Sequence, residues 1–306
     1  MYYILHQHYE SVLRLVKIVN PEKLNDFYSI FSNKEFLKLR PQDRLDFIRK
    51  TLPVPDSKHF TLDNFKKVAQ QTVEEMKKYD ITHIDLRLSL HLDRWKSVNN
   101  LAHAKEIYDD ALIGYDGKSI SYIAAIDLTK SEQEIEKSLV ALFDKKNIDS
   151  ISGIDITLNE DDFDKFEKYY KTLLKIRSKF KKKIIIHLGE FTSDLINLKI
   201  LKKLKPDRVA HGIALLESAE AIEFIKKNGI CLDMCPISNE ILGVVNWGLI
   251  NPIKKALSLG ISVTINTDDP ITFNTNIKKE IEIANLNQEE LNVVIENGIK
   301  FAGKIF

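Results

Sequence analysis

The segment Val263-Thr264-Ile265-Asn266-Thr267-Asp268-Asp269-Pro270 reads as a short apolar strand that ends in two adjacent carboxylates. Successive side chains on an extended strand point to opposite sides, so one Asp can bind a metal while its neighbour handles a proton. Asp-Asp-Pro alone also occurs in ordinary turns and helix caps. Three other segments end in the same way and give it meaning. Tyr2-Tyr3-Ile4-Leu5-His6-Gln7-His8 places two imidazoles on one strand face. They stand about 7 Å apart along the backbone, which suits joint capture of a zinc ion. Lys183-Ile184-Ile185-Ile186-His187-Leu188-Gly189-Glu190 delivers a His and, three residues on, a Glu, and Arg208-Val209-Ala210-His211-Gly212-Ile213 delivers a further imidazole. A lone histidine at a strand end is usually a satisfied, partly buried residue. Four such ends, all bearing metal-binding or proton-transfer groups, point to one shared site.

The same runs set the fold class. Strand-like stretches fall at 2–6, 83–89, 121–127, 151–156, 183–188, 208–212, 229–235 and 262–267. Between them, Leu62–Tyr79, Ser131–Lys145, Asp161–Phe180 and Glu217–Asn228 carry apolar residues at three- and four-residue spacing, the period of an amphipathic helix. Ser131 with Glu134 also forms the pattern of a capping box. Strands alternating with helices give parallel strands and right-handed crossovers. Eight such units predict a single-domain α/β protein, a (β/α)8 TIM-type barrel over 1–306. An open doubly wound sheet is the alternative, but no G-x-G-x-x-G follows the first strand.

Barrel enzymes form their sites at the carboxyl ends of the strands. His6, His8, His187, Glu190, His211, Asp268 and Asp269 all lie there. The first crossover, from about 9 to 82, is long. It has helix-like pieces at 10–18 and 62–79, with Leu45–Leu52 between them. A helical insertion of this length is expected to be either a lid over the barrel mouth or an inert surface subdomain.

Composition excludes other classes. Lys plus Arg number 45 against 44 Asp plus Glu, for a net charge of +1. A general binder of nucleic acid or of a membrane surface needs a basic excess that this chain lacks. The run Lys181-Lys182-Lys183 fits a solvated helix end before a strand. Cys231 and Cys235 are the two cysteines; their C-x3-C spacing matches no common zinc ribbon, so buried thiols are expected. No secretory leader pattern is evident, and apolar runs are too short to span a bilayer, so a cytoplasmic setting is the expectation.

In this order, the motifs resemble the adenosine/AMP deaminase family of metal-dependent amidohydrolases: His6-Gln7-His8, His187-Leu188-Gly189-Glu190, Val209-Ala210-His211-Gly212, Cys235-Pro236-Ile237-Ser238-Asn239 and Asn266-Thr267-Asp268-Asp269-Pro270. The resemblance covers nearly the whole chain. The H-x-E and P-C-x-x-C pattern of cytidine deaminases is absent. Residues 151–160 hold no Lys that could be carboxylated as in two-metal amidohydrolases. The resemblance therefore implies one zinc per chain, or another divalent ion, ligated by His6, His8, His187 and Asp268. It implies that His211 and Asp269 orient a water and accept its proton, and that Glu190 protonates the ring nitrogen beside the carbon under attack.

The same resemblance places His8, Glu10, Leu158 and Asp269 against substrate, and here the chain departs from the family pattern. Where the family continues Leu-Asp-Gly, this chain has Tyr9-Glu10-Ser11, and Leu158 stands where the family has a Gly that approaches the purine. The expected function is zinc-dependent hydrolytic deamination of adenosine or a related 6-aminopurine compound. Alternatives are deamination of adenine or of a modified adenine nucleoside or nucleotide, and a non-catalytic nucleoside-binding barrel. The expected partner is a small purine nucleoside or base, with no nucleic acid and no membrane.

Overall fold

The computed structural model describes residues 1–302 apart from 91, 96, 192 and 193; the last four residues of the expected 1–306 span lie outside the described residues. Eight strands, β1 (Tyr2–His8), β2 (Ile81–Ser89), β3 (Ser119–Asp127), β4 (Gly153–Thr157), β5 (Lys183–Leu188), β6 (Arg208–His211), β7 (Cys231–Met234) and β8 (Val263–Ile265), pair in chain order. All seven ladders are parallel. Each predicted run becomes one strand. Boundaries move by a residue or two: β1, β2 and β3 run longer than predicted, and turns shorten others. Gly229, left-handed at φ 63°, closes the helix Ala219–Asn228, so β7 begins only at Cys231. Ile184, Ile185 and Ile186 are all buried, as a strand between a filled barrel interior and an outer helix layer requires. Ser131 and Glu134 do form a capping box at the helix Glu132–Phe143.

The seam between β8 and β1 differs from a regular ladder. β8 has only three residues, so it runs out of backbone partners for β1. One isolated bridge joins Gln7 to Asp268. Below it, the side-chain oxygen of Asn266 accepts the N–H groups of Leu5 and His6 at 2.7 and 3.0 Å. The barrel is thus nearly closed, with a side-chain amide replacing the last rungs. Outside the seam, the helix Gln288–Phe301 packs on both strands. Gly298 permits this, since a Cβ there would meet the Cβ of Tyr3 at 2.7 Å.

The first crossover folds as Ser11–Val19, Glu22–Tyr28, Lys34–Lys38, Pro41–Thr51 and Leu62–Lys78, with two short 3-10 turns. Phe27, Phe36 and Ile48 bury themselves against Leu242 and Phe273 in a small second core. That core fastens the insertion to the loops after β7 and β8, on the rim that bears Asp268 and Asp269. Cys231 and Cys235 are free and buried. Among the described residues, no helix is long and apolar enough to cross a membrane.

Candidate active site

At the carboxyl ends of the strands a cavity of about 620 Å3 opens, and His8, His187, Glu190, His211, Asp268 and Asp269 line it. His211 and Asp268 both take left-handed backbone conformations, at φ 63° and 53°, which turn the chain out of its strand while leaving the side chain at the rim. Gly212 follows His211 at φ 74°, and a Cβ there would collide with Leu232 at 2.8 Å.

The imidazoles converge. His6 Nε2 lies 3.2 Å from His8 Nε2, and Asp268 Oδ1 lies 3.4 Å from each of those nitrogens. Ligands bound at 2.0–2.1 Å in a tetrahedron stand about 3.3–3.4 Å apart, so these three atoms mark a triangular face of such a site. The His187 ring is 4.8 Å from that of His6 and 5.7 Å from that of His8. Two overlapping quartets have donor atoms within 4.8 Å of one another: His6, His8, Asp155 and His187, and His6, His187, His211 and Asp268. The four predicted ligands are spread over both. Nitrogen and oxygen donors at this spacing suit a divalent transition metal.

A second layer fixes the rings. Asp155, on β4, sets Oδ1 3.1 Å from His187 Nδ1 and Oδ2 3.5 Å from His6 Nδ1. Asp269 Oδ2 stands 3.4 Å from His8 Nδ1. A carboxylate at the far ring nitrogen holds the proton there and leaves Nε2 free to face the centre. Arg87, on β2, lies with Nε 3.4 Å from Asp155, Nη1 3.0 Å from His8 Nε2, and Nη2 on the Thr157 hydroxyl. Burial lowers the pKa of His8, helped by the Arg87 charge, and burial likewise lowers those of His187 and, to about 3, His211. These imidazoles are neutral, the form that binds a metal. Burial would raise Asp155, but the Arg87 charge and both histidines outweigh it and hold it ionised.

The proton-handling residues sit beside this centre. Burial pushes the Glu190 carboxyl well up, reinforced by the Asp268 charge. Burial also raises Asp269, with Asp268 and Glu10 adding to it. His211 Nε2 is 3.4 Å from Glu190 Oε2. Asn239 donates from Nδ2 to His211 Nδ1 at 3.1 Å and to Glu190 Oε1 at 3.4 Å.

Glu10 also lines the cavity, but its carboxylate accepts the N–H groups of Ile271 and Thr272 and the Thr272 hydroxyl at 2.6–2.8 Å. Its extra methylene thus ties the loop after β1 to the loop after β8. Leu158 forms part of the cavity wall and is itself buried. Sequence reasoning missed Arg87 and Asp155. Their signal was available: each is a charged residue within a strand buried on both faces, where charge needs a specific partner.

The sequence pattern of the family described as Adenosine deaminase matches residues 26–303. An adenosine deaminase of Clostridium botulinum (strain Okra / Type B1) is 26% identical over 319 residues, covering 97% of this chain and 91% of the relative. Among solved structures, the adenine deaminase of Arthrobacter aurescens superposes with a TM-score of 0.74 at 20% identity, covering 99% of this chain and 94% of that one. The N6-mAMP deaminase of Arabidopsis gives 0.71 at 15% identity, covering 99% and 93%. The two structures share the fold, and the family pattern spans most of the chain, including the residues gathered at the cavity from β5, β6 and β8. The chain belongs to the adenosine deaminase family.

Proposed function

We propose that this protein is a zinc-dependent aminohydrolase that converts adenosine or a related 6-aminopurine compound, with water, into the 6-oxo product and ammonia. The observation that carries the proposal is the triangle of His6 Nε2, His8 Nε2 and Asp268 Oδ1 at 3.2–3.4 Å, with proton-handling residues beside it. His6, His8, His187 and Asp268 would hold the metal. When bound, it supplies Lewis-acid activation of a water near neutral pH.

The chain's own groups do the rest. Asp269 and His211 orient the attacking water, and Asp269, which a cation bound at Asp268 would hold ionised against the effect of burial, accepts its proton. Glu190, kept protonated by burial, donates to the ring nitrogen next to the reacting carbon, which makes that carbon electrophilic. The departing amine takes up the proton that Asp269 received and leaves as ammonia, while the proton of the new hydroxyl is released as the 6-oxo group forms and restores the Glu190 acid. The helix Pro41–Thr51 and its C-terminal cap set Leu45, Arg49 and Leu52 on the cavity wall, and we read this segment as the cover that keeps bulk water out.

A second substrate reading rests on Leu158 and Glu10. A leucine at the purine wall narrows the approach that a glycine would allow, and Glu10 is already committed to Ile271 and Thr272. Both favour an adenine compound other than adenosine, such as adenine itself or a modified adenine nucleotide. Ammonia release from adenosine, deoxyadenosine, adenine and adenylate by zinc-loaded protein separates the readings. Fast turnover of adenosine makes Leu158 a tolerated variation. Turnover of another member alone moves the substrate and keeps the chemistry. Silence on all four in zinc-replete protein rejects the substrate class.

A further inference from the structure

Asn239 lies in the short helix Pro236–Leu242 and is fully buried. Its amide nitrogen faces two groups to which the deaminase reading gives separate tasks: His211 Nδ1 at 3.1 Å and Glu190 Oε1 at 3.4 Å. The third side of the triangle is closed by His211 Nε2 and Glu190 Oε2, 3.4 Å apart. An amide NH2 has two hydrogens and can serve both neighbours at once. The atom that faces both groups is the nitrogen, which donates and does not accept. The observed arrangement therefore leaves His211 Nδ1 as an acceptor. In a neutral imidazole, the single proton must then sit on Nε2.

We propose that Asn239 is a positioning residue that fixes His211 as the Nε2–H tautomer and holds Glu190 in register with it. The inference rests on the deaminase reading for the tasks of the two partners, though the tautomer itself is a property of the protein alone. Its consequence is directional. His211 presents an N–H toward Glu190 and the cavity, so it orients the attacking water's oxygen by donating to it. Proton acceptance falls to Asp269.

The placement of Asn239 is held from both sides. Its backbone carbonyl receives the N–H groups of Val244 and Val245 at 2.9 and 3.3 Å. The first turn of its helix is held by Glu280, whose Oε2 accepts the Ile237 N–H at 2.9 Å. Rotation of the amide is thus the one freedom left to the side chain, and its two neighbours determine it.

The test is 15N NMR of the histidine rings in zinc-loaded, full-length protein, with the His211 signals identified by their loss in His211→Gln. The expected result is a protonated Nε2 and a bare Nδ1. Asn239→Asp replaces the donor by an acceptor of the same shape; it is expected to move the proton to Nδ1 and to lower kcat by about a hundredfold, with KM little changed. Asn239→Ala, which removes the partner without supplying another, is expected to leave a mixture of tautomers. A wild-type His211 with its proton on Nδ1, or with Nε2 bare, overturns the proposal, as does an unchanged tautomer in both variants. Those outcomes leave the deaminase reading intact if ammonia is still released. Conversely, silence on every adenine compound would reject that reading while the ring signals still decide the role of Asn239.

Discussion

The barrel interior holds two buried polar clusters, and they are built on opposite rules. Deep in the barrel, the Arg208 guanidinium lies between Asp85 at 2.5 Å and Asp233 at 2.9 Å. His83 approaches Asp85 at 2.7 Å, Thr264 donates to Asp233 at 2.8 Å, and Arg208 also donates to the Leu5 carbonyl. Every strong group there has a partner of opposite character from within the cluster. At the mouth, ring nitrogens and a carboxylate oxygen converge instead: His6 Nε2 faces His8 Nε2, Asp268 Oδ1 faces both, and Arg87 Nη1 reaches His8 Nε2 at 3.0 Å. Acceptors converging at 3.2–3.4 Å repel unless cationic charge lies among them, and Arg87 supplies part of that charge from the β2 side, at His8 and His187. A cluster that satisfies itself serves the fold; a cluster that leaves convergent acceptors asks for a ligand.

Two substitutions test that contrast most strongly. Glu190→Gln keeps shape and hydrogen bonding at the mouth but removes the acid. Turnover is expected to fall by about 10²–10⁴-fold, while zinc measured by atomic emission stays near one per chain. A variant as active as the parent would break the functional side of the comparison. Arg208→Met acts on the deep cluster alone. It leaves Asp85 and Asp233 buried without their counter-charge, and unfolding in urea should show a loss of about 3–5 kcal/mol. Zinc content per folded chain should be retained. If Arg208→Met costs no more stability than Glu190→Gln, the deep cluster is not the self-contained structural unit described above.

Leu158 gives a smaller and more selective effect. Leu158→Gly removes a buried side chain from the cavity wall, and relative rates on adenosine and adenine should shift by about tenfold, the scale set by apolar pocket contacts. Equal changes on both substrates would show that Leu158 supports the wall without discriminating between them.

Much of this arrangement was legible in the sequence, for physical reasons that can be named. A parallel barrel strand is apolar on both faces, so Ile184-Ile185-Ile186 and Tyr2–Leu5 stand out, and the polar residues that end them mark the mouth. The seam was not legible. Nothing local says that Asn266 spends its side-chain oxygen on the backbone of β1, because that contact spans about the whole chain. Asp155 and Arg87 stood out as charges within buried strands, but their partners, imidazoles on other strands and each other, appear only in the closed barrel. Glu10 was read as facing substrate; it does line the cavity, and nothing in the sequence signals that its carboxylate is also held by the loop after β8.

Glu280 sharpens the comparison from a third direction, because it is a buried carboxyl with neither a guanidinium nor convergent imidazoles. It accepts hydrogen bonds from Thr275 at 2.6 Å and from the Ile237 N–H at 2.9 Å. Burial pushes its pKa from the ordinary 4.5 up to about 8, more than those hydrogen bonds pull it down. A proton therefore does here what Arg208 does for the deep cluster. The sign of the pH effect follows. Between about pH 4.5 and 8 the folded chain keeps a proton that the unfolded chain has lost, so stability falls as pH rises through that window and levels off above it. The contribution is fully present below pH 4.5 and gone above pH 8. Glu280→Gln removes the titration while retaining an acceptor for the Ile237 N–H. The difference in Tm between pH 5 and pH 8 should then shrink by several degrees relative to the parent. Glu190 and Asp269 are also raised by burial and slope the same way, but they titrate in both proteins, so subtracting one curve from the other isolates Glu280. Parallel Tm curves for parent and variant would mean that Glu280 is ionised in the fold, and that the buried helix start at Ile237 is itself enough to hold a negative charge.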